Sequence, residues 1–321
     1  MPEPSNVVPL ASRRRARPAS AAPDGIPLID LIESWRRALE AANRSPETIR
    51  VYMRTARMLA AFLEDSGLPA DAEGVQAEHV REFLVSEIRR RSASTAYAHH
   101  GNLGSFFTWL IAEGERTGPS PVVKADKPSL PKKIKKTVSD DTVQALLANF
   151  KGNDFQARRN TAIIRLVYDS GVRVGGLASM LRADLDLSER TVKIVLKGGD
   201  EHLVPFGKKT AAALDRYLRV RGGHPHADSA WLWIGEQGRL TQSGIRSMLS
   251  RGAEQAGTEH VTPHQFRRKF AHEYLKAGGS ERGAMLVAGW QSRAMLDHYS
   301  EELAAERARE EHARLSPGDR I

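Results

Sequence analysis

The sequence predicts a mainly α protein with a small antiparallel β-sheet, divided into two domains, and three observations carry that expectation. The chain has 321 residues, more than one hydrophobic core usually organises, so two domains are the default. Apolar residues recur at helical spacing between residues 26 and 123. Later, the alternating run Thr191-Val-Lys-Ile-Val-Leu-Lys197 meets the turn signal Gly198-Gly199-Asp200-Glu201 and a return run, Leu203-Val204-Pro205-Phe206.

Residues 1 to 25 are rich in Pro, Ala, Ser and Arg, lack periodicity and are expected to be a disordered tail. Within them, Arg13-Arg14-Arg15-Ala-Arg17 reads equally as a phosphate contact or as solvated charge. The tail has no long apolar stretch of the kind a secretory signal needs. Residues 26 to 123 read as four helices. Leu28, Ile32, Trp35 and Leu39 share one face, and Ser45-Pro46-Glu47 opens a second helix that runs to Gly67. Val80, Phe83, Leu84 and Ile88 mark a third. Ser94 to Glu113, with Tyr97, Leu103, Phe106, Phe107 and Leu110, gives the fourth. Residues 124 to 136 contain six lysines and two prolines and read as a basic linker. Its Lys132, Lys133, Lys135 and Lys136 either follow a DNA backbone or are simply solvated. A second domain spans 137 to 300, and residues 301 to 321 form a C-terminal helix, which stops before Ser316-Pro317-Gly318, and a tail.

Composition narrows the function. Lys and Arg number 48 against 39 Asp and Glu, a net charge of +9 that favours a polyanionic partner. The absence of cysteine excludes disulfides and thiolate metal sites. No apolar run approaches the ~20 residues that span a bilayer, so no membrane partner is expected. There is no phosphate-binding glycine loop, no His-Glu-x-x-His and no dinucleotide fingerprint, and no cofactor is implied. His99-His100 and His224-Pro-His226 lack further ligands at metal spacing and read as surface histidines.

One set of polar residues points to chemistry: Arg173, Lys197, His264, Arg267, Trp290 and Tyr299. A DNA phosphodiester repels nucleophiles, and without a metal its cleavage needs fixed cations and proton donors about the phosphorus. Two arginines meet that need. A tyrosine hydroxyl, with an ordinary pKa of ~10, attacks only if a base or cationic field helps remove its proton. His264 and the arginines are placed to give that help, and Lys197 is the candidate to protonate the departing oxygen. Thr262-Pro263-His264-Gln265 reads as a helix start, with Thr262 as N-cap, Pro263 at the first position and Gln265 closing a capping box. His264 and Arg267 then lie one turn apart near a helix N-terminus, which favours an anion. Phe266, Phe270 and Tyr274 form the opposing core stripe. Arg173 follows the apolar run Ala162 to Tyr168 and the turn Asp169-Ser170-Gly171, and is expected to open a new helix.

Tyr168-Asp-Ser-Gly-Val-Arg173, Lys197 eight residues before Pro205, Pro263-His264-Gln-Phe-Arg267, Ala288-Gly289-Trp290 and Tyr299 nine residues after Trp290 together resemble the tyrosine recombinases, or phage-type integrases. The resemblance is specific over 137 to 300 and general over 26 to 123. It implies a SAM-like core-binding domain and an α+β catalytic domain that clamp double-stranded DNA at specific recombination sites. It further implies a homotetramer on paired sites, with room for an accessory DNA-bending protein, and a cytoplasmic enzyme of a bacterium or phage. In that resemblance Tyr299 forms a 3′-phosphotyrosyl bond, Arg173 and Arg267 hold the non-bridging oxygens, Lys197 is general acid to the 5′-oxygen, and His264 assists proton transfer. Trp290 stands where the family more often has histidine; its indole donates one hydrogen bond and shuttles no proton. Gly176 stands where members often carry a bracing acidic residue three positions after the first arginine, so either another carboxylate substitutes or activity is reduced. A nicking-closing enzyme like a type IB topoisomerase and a catalytically weak prophage remnant are the alternatives. The Ala288-Gly289-Trp290 form and the ending Arg314 to Arg320 resemble integrases of high-GC Gram-positive bacteria.

Overall fold

The computed structural model describes residues 25–130, 137–195, 199–290, 296, 308–309, 311–316 and 318–320. The Arg13–Arg17 segment, Lys132, Lys133, Lys135, Lys136, Lys197 and Tyr299 lie outside them, as does most of the expected helix after Tyr299, of which 308–309 and 311–315 are described and helical. The chain divides into two compact units, Met1–Lys133 and Ile134–Ile321.

The first unit holds α1 (Leu28–Ala41), α2 (Pro46–Asp65), α3 (Ala77–Arg90) and α4 (Ala93–Ala112). Local chemistry sets their starts. Pro46 occupies the first turn of α2 while the Ser45 hydroxyl accepts the Thr48 N–H at 3.3 Å, and Ser92 does the same for Thr95 at 3.2 Å at the head of α4. Leu28, Ile32, Trp35 and Leu39 all face the core as expected, and Trp35 lies 5.3 Å from Tyr52 and 4.7 Å from Phe106, ring centre to ring centre.

Two expectations for this unit need correction. Ile88 is 40% exposed and Glu87 is buried in its place. The inward face of α3 is Val80, Phe83, Leu84 and Glu87, spaced i, i+3, i+4, i+7, and Ile88 falls one residue beyond it. On α4, Tyr97 turns outward under Lys127, whose ammonium lies 4.3 Å from the ring centre, whereas His99 and His100 are buried. These are not surface histidines. His99 Nδ1 lies 3.0 Å from the Thr55 hydroxyl, which also accepts the Asn102 amide at 2.9 Å, and His100 Nε2 lies 2.9 Å from the Val123 carbonyl. Glu87 is balanced by Arg90 at 2.9 Å and Arg91 at 3.3 Å, and burial pushes the His99 imidazole pKa down. His224 and His226 are half-buried; the His224 ring stacks on Phe155 at 4.2 Å.

The second unit is α5 (Asp140–Asn149), α6 (Phe155–Ser170), α7 (Val174–Ala178), β1 (Leu185–Asp186), β2 (Thr191–Val195), β3 (Glu201–Pro205), α8 (Lys208–Arg221), β4 (Ile234–Gly235), β5 (Gly238–Arg239), α9 (Gln242–Gln255), α10 (Pro263–Lys276) and α11 (Glu281–Ala288). Helix α6 carries apolar residues on most of its circumference and is the core helix, packed between α8 and α10. β1, β2 and β3 form one antiparallel sheet in that order; β4 and β5 form a separate pair. The expected hairpin is present, with Thr191 opposite Pro205 and Val195 opposite Glu201, so the return strand begins at Glu201 rather than Leu203. Val192, Ile194 and Val204 point into the core, while Val195 and Leu203 point out. A smaller cluster gathers Phe270, Ala271, Leu275, Ala284, Ala288, Trp290 and Leu296.

Gly171 ends α6 in the left-handed conformation at φ 59°, and a Cβ there would lie 2.7 Å from Phe270 Cδ1. Both the backbone and the approach of α10 therefore require glycine. Gly171→Ala combines a left-handed penalty of about 1–2 kcal/mol with overpacking of about 1–3 kcal/mol. A melting temperature lowered by several degrees is expected in a thermal unfolding scan; an unchanged one would mean that the α6–α10 junction relaxes freely.

Candidate active site

Helix α10 begins as its sequence predicts. Pro263 occupies the first turn, and Gln265 Oε1 accepts both the Thr262 N–H at 2.7 Å and the Thr262 hydroxyl at 3.1 Å. His264 is exposed at this start, and Arg267, one turn on, is only 2% exposed. Phe266 and Phe270 are buried and Tyr274 packs beside them, in keeping with the expected stripe. Arg173 caps the N-terminus of α7 and so does open a new helix.

Burying a guanidinium is costly unless carbonyls or carboxylates meet its N–H groups. Here two helix ends supply the carbonyls. Arg267 Nη1 donates to Gly171 O at 2.5 Å and to Ala288 O at 2.7 Å, and Arg173 Nη1 donates to Gly289 O at 2.5 Å. Gly171 closes α6, and Gly289 closes α11 in the left-handed conformation at φ 65°. Carbonyl groups at helix C-termini lack intrahelical partners and carry the negative end of the helix dipole, so cations are stable there. The Arg267 guanidinium also lies over the Trp290 ring, 4.5 Å from its centre, and the Trp290 backbone N–H donates to Met285 O at 2.9 Å. Arg173, Arg267 and Trp290 are thus brought together by one backbone knot. Leu296, three residues before Tyr299 in the sequence, is completely buried in the cluster that contains Trp290.

The hairpin of β2 and β3 meets this knot along its inner face. A Cβ on Gly176 of α7 would lie 2.8 Å from Ile194 Cδ1, so the space beside the Arg173 helix is filled by a β2 side chain. His202, opposite Ile194, places Nε2 3.2 Å from Val287 O at the end of α11, and its ring lies 3.3 Å from where a Gly289 Cβ would be. No local signal in the sequence marks His202, because its partner comes from a helix more than eighty positions away. The hydrophobic occupant at Gly176 was equally hidden.

A second anchor holds α10. Lys269 is 7% exposed and pairs with Glu273 at 2.8 Å and Asp140 at 3.0 Å; the Tyr168 hydroxyl donates to Asp140 at 3.1 Å. Burial works to lower the Lys269 pKa, but the two ion pairs outweigh it and hold the ammonium above the ordinary lysine value. The same ammonium, followed by the Tyr168 hydroxyl, holds the Asp140 carboxyl below the usual aspartate range. The start of α5 is in this way tied to the helix that carries Arg267. Among the described residues no group of His, Asp or Glu is arranged to hold a metal ion.

The phage integrase family profile matches residues 136–306, more than half of the chain, and the profile of the phage integrase N-terminal SAM-like domain matches residues 31–114. The chain belongs to the phage integrase family. This integrase-family chain is a tyrosine recombinase by its relatives as well. The tyrosine recombinase XerC of Oceanobacillus iheyensis is 30% identical over 271 residues, 80% of this chain and 86% of that one. Among solved structures, the Tn1549 transposon integrase in complex with transposon right end DNA aligns with a TM-score of 0.70 at 16% identity, covering 91% of this chain and all of that one at 100%. A lambda integrase tetramer bound to a Holliday junction aligns with a TM-score of 0.67 at 17% identity, covering 84% of this chain and 78% of that one. The mainly helical fold with small antiparallel sheets and a SAM-like first domain is therefore that of the integrases.

The Asp140 interaction has a pH signature. Its folded pKa is depressed, so its stabilisation is present above the unfolded aspartate value and is lost as pH falls through the lower folded value. Asp140→Asn lacks that component. In urea unfolding the stability gap between wild type and Asp140→Asn is expected to be largest near neutral pH and to narrow below pH ~4; a gap constant with pH would contradict the ion-pair account.

Proposed function

We propose that the protein cuts and rejoins DNA at specific sites through a tyrosine nucleophile, with the roles divided among residues as follows. Tyr299 Oη passes its proton to His264, attacks the phosphorus and forms a 3′-phosphotyrosyl bond while the bond to the 5′-oxygen breaks, and Lys197 gives that oxygen a proton. In the reverse step a 5′-hydroxyl from a second strand attacks the phosphotyrosine, its proton returns to the lysine, and the tyrosine leaves and takes its proton back from His264. One phosphate ester replaces another in each step, so the bond energy is conserved and no nucleotide cofactor is needed. Arg173 and Arg267 hold the two non-bridging oxygens, where charge develops in the transition state. His264, at the exposed start of α10, assists proton transfer, and Trp290 gives Arg267 its platform.

The observation that carries this reading is the joining of Arg173, Arg267 and the Ala288-Gly289-Trp290 turn through three carbonyls. A guanidinium fixed in advance by the protein needs no reorganisation when charge appears on the phosphate. Ile194 bears on the alternative of a weakened remnant: the position expected to carry an acidic brace is packed with a hydrocarbon contact, so Gly176 reads as a change of packing rather than a loss.

The domain assignment belongs to the same proposal. Residues 26 to 123 serve as the core-binding domain, 124 to 136 as the linker, in which Lys132, Lys133, Lys135 and Lys136 contact DNA phosphates, and 137 to 300 as the catalytic domain. The family profiles and the net charge of +9 support double-stranded DNA as the partner. Its tetrameric state on paired sites is supported by the lambda integrase assembly, and an accessory DNA-bending protein completes the set of proposed partners. No described helix is long and apolar enough to cross a membrane, and the site of action we propose is the DNA of a bacterial or phage-infected cytoplasm.

Covalent trapping tests the reading. Wild type and Tyr299→Phe are each mixed, without metal, with nicked duplexes tiled across the DNA around the protein's own gene, and a denaturant-resistant protein–DNA band is sought. A band in wild type alone is expected. A band of equal strength with Tyr299→Phe would overturn the nucleophile assignment.

A further inference from the structure

The hairpin that precedes and follows Lys197 is held to the arginine knot by one side chain that none of the assigned roles uses. Strand β2 ends at Val195 and β3 begins at Glu201, directly opposite, so residues 196 to 200, Lys197 among them, connect the last paired positions of the ladder. The β2–β3 ladder fixes each strand against the other, and β1 pairs with β2 only at its base, Leu185 opposite Val192 and Asp186 opposite Thr191, so the ladders leave the Val195–Glu201 end of the hairpin without a strand neighbour. Its outer face, with Val195 58% and Leu203 60% exposed, gives no support from that side. The inner face meets the site at two points. Ile194 abuts Gly176 in the helix capped by Arg173, and His202, paired across the ladder with Ile194, lies against the end of α11.

The two contacts differ in kind. Ile194 is a methyl against a helix backbone, a contact without direction. His202 makes a directed one: Nε2 stands 3.2 Å from Val287 O, and a carbonyl is an acceptor only, so the imidazole carries its proton on Nε2 and donates it. Next along the chain, Ala288 O takes Arg267 and Gly289 O takes Arg173. Three successive carbonyls, Val287, Ala288 and Gly289, therefore receive His202, Arg267 and Arg173. Glycine at 289 admits this on both counts, since its φ of 65° disfavours any other residue and a Cβ would press on the His202 ring at 3.3 Å.

The geometry points to His202 as the positioning residue that sets the height and direction of the Lys197 hairpin relative to the two arginines. It touches no reacting atom; it acts through the register of β3 and so through Lys197. The inference rests on Lys197 being the general acid, and the experiment separates the two. A proton donor must sit within hydrogen-bond reach of the leaving oxygen, and a displacement of about 1 Å costs on the order of 100-fold in rate. A leaving group that needs no proton is indifferent to that displacement.

The test uses a nicked duplex carrying the cleavage site found by covalent trapping, made in two forms, with oxygen or with sulfur at the 5′ bridging position of the scissile phosphate. Single-turnover formation of the covalent complex is measured for wild type, Lys197→Ala, His202→Ala and His202→Gln. On the oxygen substrate His202→Ala is expected to be slower by about 10- to 100-fold, and on the sulfur substrate to return to the wild-type rate, as Lys197→Ala does. His202→Gln, whose amide can donate to Val287 O, is expected to stay closer to wild type on oxygen, and it keeps the test open should the alanine variant fold poorly. If His202→Ala is slow on both substrates while Lys197→Ala is rescued, His202 acts on the arginines or on folding and the inference falls alone. A wild-type rate for His202→Ala on oxygen overturns it as well. If sulfur fails to rescue Lys197→Ala, the general-acid assignment falls and takes the His202 inference with it.

Discussion

Two helices of the second unit, α6 and α11, end on left-handed glycines, and the carbonyl groups at those ends grip Arg173 and Arg267. The rest of the site depends on that grip. A helix C-terminus leaves carbonyls without partners, and a buried arginine leaves N–H groups without water, so each resolves the other's deficit. Each charge-assisted bond of this kind contributes about 1.5–3 kcal/mol, and losing one partner would strand the other in a dry interior at greater cost. The cations are therefore fixed by the same contacts that close the fold.

That arrangement explains why the surrounding residues are so constrained. Gly171 must be glycine because Phe270 crosses it, and Phe270 is fixed because α10 also carries Arg267. Trp290 follows directly from the glycine end of α11, which turns the chain so that the indole lies under the Arg267 guanidinium. Lys269 and Asp140 hold the same helix from its other side, and they bring the first helix of the unit to the site. Arg267 thus sits at the crossing of α6, α10 and α11, which is a position suited to holding a phosphate without moving. Catalysis of phosphoryl transfer benefits from such fixed charge because the protein does not reorganise as the transition state forms.

Much of this was legible in the sequence, for reasons that are local. The capping box at Thr262 and Gln265 and the proline at the head of α10 are short-range signals found where expected, and the alternating run before the glycines does pair with a return strand, which begins two residues earlier than expected. Arg173 and Arg267 were identified because their flanking residues form recognisable segments. The residues that escaped are those whose partners are distant. His202 and Val287 meet only when a hairpin packs on a helix end, and the Lys269–Asp140 pair joins two helices with most of the unit between them. In the first unit, a period taken one residue too far put Ile88 in the core where Glu87 belongs, and polarity alone suggested that His99 and His100 face solvent. Buried polar residues are recognised from their partners, and Thr55 and Val123 are far in sequence from the histidines they satisfy.

The most direct measurement of the central claim is single-turnover cleavage by Arg267→Lys on a nicked duplex bearing its cleavage site, with circular dichroism to establish that the variant is folded. Lysine keeps the charge but not the planar guanidinium, whose Nη1 alone serves both Gly171 O and Ala288 O and whose plane lies over the Trp290 ring. A folded variant whose covalent complex forms on the order of 100-fold to 1,000-fold more slowly is the expected result. A folded variant that cleaves at the wild-type rate would contradict the account, because the site would then need only positive charge and not the guanidinium held by two helix ends.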